Sequence, residues 1–232
     1  MQILHTGRYA YSSAAIAPSA IKAPINPFMP KEVTSEGIEQ QIEDFANSAQ
    51  LALKAAYDGV EIMGSEGYFL NQFIVTRTNQ RKDDWGGSYD NRTCLAIEVV
   101  KRVRAGVGAE FIIIYRLSML DLVPEGSNLE EVIALGQAIE RAGATMINTG
   151  IGWHKARIPT IATKVPRAAF TWVTHKVRKH LSVPITSNRI NTAEVAESVL
   201  ANGDADLISM ARPFLADPEF VNKAAAGHRL SI

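Results

Sequence analysis

Apolar positions along the chain follow two alternating periods. Ile38, Ile42, Phe45, Ala49, Ala52 and Ala56 recur at steps of three and four, which places them on one face of a helix opened by Thr34 or Ser35 as N-cap. Residues 91–107, 129–142, 170–180 and 193–201 repeat that helical pattern. Between these segments run short, continuously apolar stretches at 60–63, 111–117, 145–149, 183–186 and 206–210, with a sixth at 2–5. Continuous runs rather than alternating ones are what strands buried on both faces require.

Three stretches, 54–62, 141–147 and 201–208, share one plan: a helix end, a short turn carrying glycine, then a strand. Glycine at such a turn can take the left-handed cap of a βαβ unit. Six strands with intervening helices suit a doubly wound sheet or most of an eight-stranded barrel. The segments 64–89 and 150–168 are long and both follow strands, so they lie at the carboxyl ends where either architecture places its chemistry. A nucleotide fold needs a phosphate fingerprint, and its nearest candidate, Gly150-Ile151-Gly152-Trp153-His154-Lys155, ends in lysine with Pro159 close behind. The pattern therefore favours the barrel. Because the chain opens directly in a strand, the expectation is an incomplete TIM (β/α)8 barrel: strands three to eight, the first two βα units missing, and one partial domain over residues 1–232.

Twenty-four basic residues balance 24 acidic ones, so no net field draws the chain to nucleic acid or an anionic membrane. Any anion site must be local. A single cysteine, Cys94, excludes an internal disulfide and a multi-thiolate metal site within these residues, and a reducing, cytoplasmic setting is expected. No apolar run approaches the ~18 residues of a membrane span.

Candidate chemistry then comes down to a few side chains. Arg116 follows Phe111-Ile112-Ile113-Ile114-Tyr115, so a guanidinium that cannot shed its proton points from an apolar strand into the barrel mouth. It needs an anion: Asp121, Glu61 or a bound ligand. Arg189 and Arg212 follow the last two strands, where barrels hold phosphate through loops and the start of a short helix, and Pro213 suits such a start. Gln2 reads as a barrel polar group and Arg8 as a loop ion-pair partner. Tyr68, in the first long loop, is protonated at neutral pH and can give a proton to a carbanion if something stabilises the phenolate. His154, in the other long loop beside Lys155 and Arg157, is placed to do so. The stretch 84–92 reads as a glycine turn and helix start, with caps among 88–91, and Cys94 as an inert thiol on a helix.

Several of these stretches resemble the old yellow enzyme family of FMN oxidoreductases: Gln2-Ile3-Leu4-His5-Thr6-Gly7-Arg8, Asp58-Gly59-Val60-Glu61-Ile62, Trp85-Gly86-Gly87-Ser88, Tyr115-Arg116-Leu117-Ser118 and Met210-Ala211-Arg212-Pro213-Phe214. Gly64-Ser65-Glu66-Gly67-Tyr68 and the stretch 148–161 are most similar to the bacterial NADPH-dependent 2,4-dienoyl-CoA reductases within it. The resemblance implies FMN contacts from Gln2 and Arg116, and a phosphate held by Arg189, Ala211 and Arg212. It also implies Tyr68 as proton donor assisted by His154, and Arg77, Lys155, Ala156 and Arg157 on the acyl-CoA side. The implied reaction is reduction of a dienoyl thioester in unsaturated fatty acid β-oxidation. The family's other members acting on enones or amines are the alternative, and a non-catalytic fragment is a third. A downstream 4Fe-4S cluster and a separate FAD and NADPH domain are implied for the longer protein. The segment 183–189 is one residue shorter than the family's usual strand before its arginine, and a one-residue slip turns side chains to the other face.

Overall fold

The computed structural model describes residues 1–154, 160–162 and 164–227. Its strands, in chain order, are β1 (Gln2–Ile3), β2 (Ile16–Ala17), β3 (Lys31–Glu32), β4 (Gly59–Gly64), β5 (Ile112–Leu120), β6 (Met146–Ile151), β7 (Ile185–Ser187) and β8 (Leu207–Ile208). Six form one sheet in the order β1-β4-β5-β6-β7-β8, every pair parallel. Consecutive parallel neighbours with a helix at most crossings are what the repeated helix-turn-strand plan predicts, and they are consistent with part of a barrel.

The helices are α1 (Ser35–Lys54), α2 (Phe69–Ile74), α3 (Tyr89–Val107), α4 (Leu129–Arg141), α5 (Thr171–Arg178), α6 (Ala193–Ala201), α7 (Arg212–Ala216) and α8 (Phe220–Ala225). Helix α1 starts where Thr34 Oγ1 accepts from the Gly37 amide, and buries Ile38, Ile42, Phe45, Ala49 and Ala52 against α3 and β4. Each of its large apolar side chains contributes roughly 1.5–3 kcal/mol by leaving water. Helix α3 is capped by Ser88 and α4 by a reciprocal pair, in which Asn128 Oδ1 accepts from the Glu131 amide and Glu131 Oε2 accepts from the Asn128 amide. None of the helices is long and apolar enough to cross a membrane.

Some expectations need correction. Ala56 is not on the buried face of α1: it lies beyond the helix, exposed, in the left-handed region at φ 60°. Glycine fills that role in two of the three turns, at Gly143 and Gly203. In the first turn Gly59 instead serves close approach, since a Cβ there would meet the Ile112 carbonyl oxygen at 2.5 Å. The first long loop contains α2, whose six residues are all buried. The β2-β3 pair, which no alternating pattern announces, is held by Lys31 N donating to Ala15 O and Val33 N to Ala17 O. Strands β1, β7 and β8 are shorter than expected, and β5 runs on to Leu120.

Candidate active site

A row of polar side chains crosses the sheet toward its carboxyl ends. Gln2 Nε2 on β1 donates to Glu61 Oε1 on β4 at 2.6 Å, and Asn148 Nδ2 on β6 donates to Glu61 Oε2 at 2.6 Å. Thr186 Oγ1 on β7 then donates to Asn148 Oδ1 at 2.6 Å. The parallel register makes this possible, because it sets Gln2 beside Glu61, Arg116 beside Asn148 and Asn148 beside Thr186. Arg116 sits within the row, 2.7 Å from Glu66 and 3.7 Å from Glu61, and its Nε is buried without a partner. Its anions are thus Glu66 and Glu61. Asp121 is not among them, because Asn71, Ser118, Trp153 and Ser127 take up its carboxylate.

Strand β4 runs into a sharp turn at residues 65–68 in which Glu66 and Gly67 are both left-handed, at φ 59° and 78°. A non-glycine residue held there costs about 1–3 kcal/mol and persists only where its surroundings fix it. The result is that Glu66 reaches Arg116 while Tyr68 faces the other long loop. Tyr68 Oη and His154 Nε2 are 2.7 Å apart. Tyr9 packs edge-on to both rings, with centroids 5.9 Å from Tyr68 and 5.7 Å from His154. Burial, then the negative charge of Glu66, then Tyr9 push the Tyr68 hydroxyl above its ordinary value, with Arg116 opposing them. Tyr68 therefore keeps its proton throughout the neutral range.

Arg8 is not a surface ion-pair residue. It is 5% exposed, its guanidinium lies 5.6 Å from the Tyr9 and Trp153 ring centres, and among the described residues no carboxylate pairs with it. Arg77 is exposed, and its charge is among those that oppose the rise of the Tyr9 hydroxyl above its ordinary value. Lys155, Ala156 and Arg157 lie outside the described residues.

At the far end of the sheet, Arg189 takes a left-handed backbone at φ 64° and donates from Nη2 to the Ile151 carbonyl. Burial holds its guanidinium below the ordinary arginine value; Glu66 opposes this, while Arg116 and Arg212 add to it. Arg116 and Arg212 both disfavour the charge on Arg189, and a bound anion relieves such crowding. Ala211 caps α7, whose first turn holds Arg212 and Pro213 as the sequence suggests. The cluster therefore suits an anionic group such as a phosphate. Arg116 Nε and Asn188 Oδ1 are buried polar atoms with no partner among the described residues. Glu66, Tyr9, Asn148 and Thr186 are the members of the site that sequence reasoning missed. Glu66 lay within the 64–68 motif and Asn148 opened the 148–161 stretch, whereas nothing local marked Tyr9 and Thr186.

Comparison with known proteins bears on this geometry. The NADH:flavin oxidoreductase / NADH oxidase family matches residues 1–231. The chain belongs to that family. It is 39% identical over 232 residues to a metal reductase of Desulforamulus reducens, covering 98% of this chain and 35% of that protein. It is 31% identical over 240 residues to an NADH oxidase of Thermoanaerobacter brockii, covering all of this chain and 37% of the relative. This chain thus spans little more than a third of the length of these two relatives. Among solved structures, a 2-naphthoyl-CoA reductase in complex with 2-naphthoyl-CoA superposes at a TM-score of 0.92 with 30% identity, over 97% of this chain and 37% of that one. An old yellow enzyme homologue from Zymomonas mobilis superposes at 0.83 with 27% identity, over 99% and 67%. The family implies FMN and a nicotinamide reductant, and its solved members are TIM barrels.

Proposed function

We propose that residues 1–232 are a partial FMN-binding TIM-barrel domain, covering strands three to eight, of an NADPH-dependent 2,4-dienoyl-CoA reductase. The observation that carries the reading is the 2.7 Å contact between Tyr68 Oη and His154 Nε2 at the carboxyl ends of the strands. When bound, FMN would supply the hydride, with NADPH as the reductant; FAD and a 4Fe-4S cluster are further cofactors proposed for the longer protein. Gln2 and Arg116 would hold the flavin ring, and Arg189, Ala211 and Arg212 its phosphate; Arg116 would stabilise the negative charge of the reduced flavin, and Glu66 keeps its guanidinium oriented. Tyr68 gives its proton to the carbon next to the one that receives hydride, so the double bond gains one hydride and one proton. His154 hydrogen-bonds the phenolate left behind and returns a proton to it from water. Arg77, Lys155, Ala156 and Arg157 bind the thioester and the polyanionic CoA. The likeness to a structure holding an aromatic acyl-CoA supports this substrate class.

Replacing Tyr68 by Phe in the FMN-loaded full-length enzyme should lower dienoyl-CoA turnover about 10²–10⁴-fold, the usual worth of a positioned acid. Flavin absorbance and the rate of flavin reduction by NADPH should stay as they were. Unchanged turnover would remove Tyr68 from the mechanism, and a preference for simple enones or amines over dienoyl-CoA would move the substrate class. Because the Tyr68 hydroxyl is held above its ordinary value of 10, its ionisation should not limit turnover until the pH passes above that value. A pH profile measured to pH 11 checks the sign.

A further inference from the structure

Tyr68 and His154 come from loops on different strands, 86 residues apart in the chain, yet their side-chain atoms meet within hydrogen-bond distance. The strand between β4 and β6 is β5, and just past its end lies Asp121, 3% exposed. Asp121 Oδ1 accepts from Asn71 Nδ2 at 3.1 Å, Ser118 Oγ at 2.7 Å and Trp153 Nε1 at 2.8 Å, and Oδ2 accepts from the Ser127 amide at 2.9 Å. Two of those donors lead to the pair. Trp153 immediately precedes His154, and its backbone amide also donates to the Asp121 carbonyl at 3.0 Å. Asn71 Oδ1 accepts from the Gly67 amide at 2.8 Å, immediately before Tyr68. The two arms also touch each other, since a Cβ on Gly67 would meet Trp153 Cδ2 at 2.7 Å.

We propose that Asp121 is a positioning residue: its buried carboxylate grips the Tyr68 loop through Asn71 and the His154 loop through Trp153, and so fixes the distance between the proton donor and its partner. This rests on the role given to Tyr68 and His154 above. A carboxylate suits the task because it is acceptor-only and takes four donors at once, whereas an amide presents an N–H to one of them. Displacement of a reacting group by about 1 Å costs on the order of 10²-fold in rate, so a small slip between the loops is enough to be seen.

The test uses the FMN-loaded full-length enzyme. Asp121→Asn should lower kcat for dienoyl-CoA about 10–100-fold with KM little changed and flavin reduction by NADPH unaltered. Hydrogen exchange should quicken at the amides of Gly67 and Trp153. Placed on a Tyr68→Phe background, the same substitution should cost nothing more, because the group it positions is already gone. Should Asp121→Asn fail to fold, Trp153→Phe keeps the carboxylate and three of its donors while cutting the arm to His154, and a several-fold fall in kcat with unchanged flavin reduction is expected. If Tyr68→Phe is inactive and neither variant slows dienoyl reduction, the inference is overturned while the Tyr68 mechanism stands. It is overturned too if both half-reactions fall together, or if the losses from Asp121→Asn and Tyr68→Phe multiply. An active Tyr68→Phe instead brings down the mechanism itself.

Discussion

The two ends of the sheet are built differently. From β1 to β6 the strands are backed by α1, α3 and α4, and one continuous core runs from Ile3 through Ile38, Ile62, Val99, Ile113 and Ile139 to Ile147. Around β8 the packing is thin: Ile190, Val199 and Ala205 make a separate small cluster, and Leu207, Phe214 and Leu215 are exposed. The proposed proton donor, its partner and Asp121 all hang from the thick part. The proposed phosphate cradle of Arg189, Ala211 and Arg212 hangs from the thin part. Chemistry that depends on a fixed distance thus stands on a rigid base, whereas a charged ligand can itself order the region that binds it.

The largest test of this contrast is in the cores. Ile42→Ala should cost about 2–5 kcal/mol, the usual range for a fully buried isoleucine. Val199→Ala, with few neighbours to lose, should cost roughly 1–2 kcal/mol at ~0.8 kcal/mol per buried CH₂. Urea unfolding measures both, and equal costs would erase the distinction. Next in size is the cradle. Arg189→Ala should weaken FMN binding about 10–100-fold, the worth of a charge-assisted hydrogen bond of about 1.5–3 kcal/mol. Flavin titration followed by fluorescence gives that number, and intact affinity would move the phosphate elsewhere.

Smaller effects sharpen the same contrast. Thr34→Ala at the head of α1 and Thr192→Ala at the head of α6 each remove a cap of about 1 kcal/mol. The first should appear in global unfolding, the second as faster local amide exchange in α6 alone. The smallest expected effect is on the acid side. Hydrogen bonds from Arg178 hold the Asp206 carboxyl below its ordinary value of 3.8, so its share of stability is complete above that pH. That share is lost as the pH falls through the lowered value. Asp206 also accepts from the Ile185 amide, tying β7 to the turn before β8, so β7 and β8 should loosen before β4 to β6 in an acid titration.

Local periodicity carried most of the architecture. The apolar steps of α1, α3, α4 and α6 and the continuous strand runs are short-range signals, and burial on one or both faces is what they encode. The caps were legible to within a few residues, Thr34 or Ser35 for α1 and 88–91 for α3, and the structure selects Thr34 and Ser88, each bonding an amide three residues on. Helix α2 was not, because its six residues are apolar or amide all round and show no polar face. The β2-β3 pair rests on backbone bonds between segments with no alternating pattern.

For the site, the residue types and their order along the strands put Arg116, Tyr68, His154, Arg189 and Arg212 toward one end of a parallel sheet, since carboxyl ends share a face in any such fold; Gln2 instead opens β1, level with Glu61. What the sequence left open was which of them meet. Only the register of β4, β5 and β6 and the left-handed turn at Glu66 and Gly67 decided that Arg116 faces Glu66, that Asp121 spans two loops, and that Tyr68 reaches His154. Those contacts join residues many tens of positions apart, and a distance of that kind is a property of packed strands rather than of any stretch of chain.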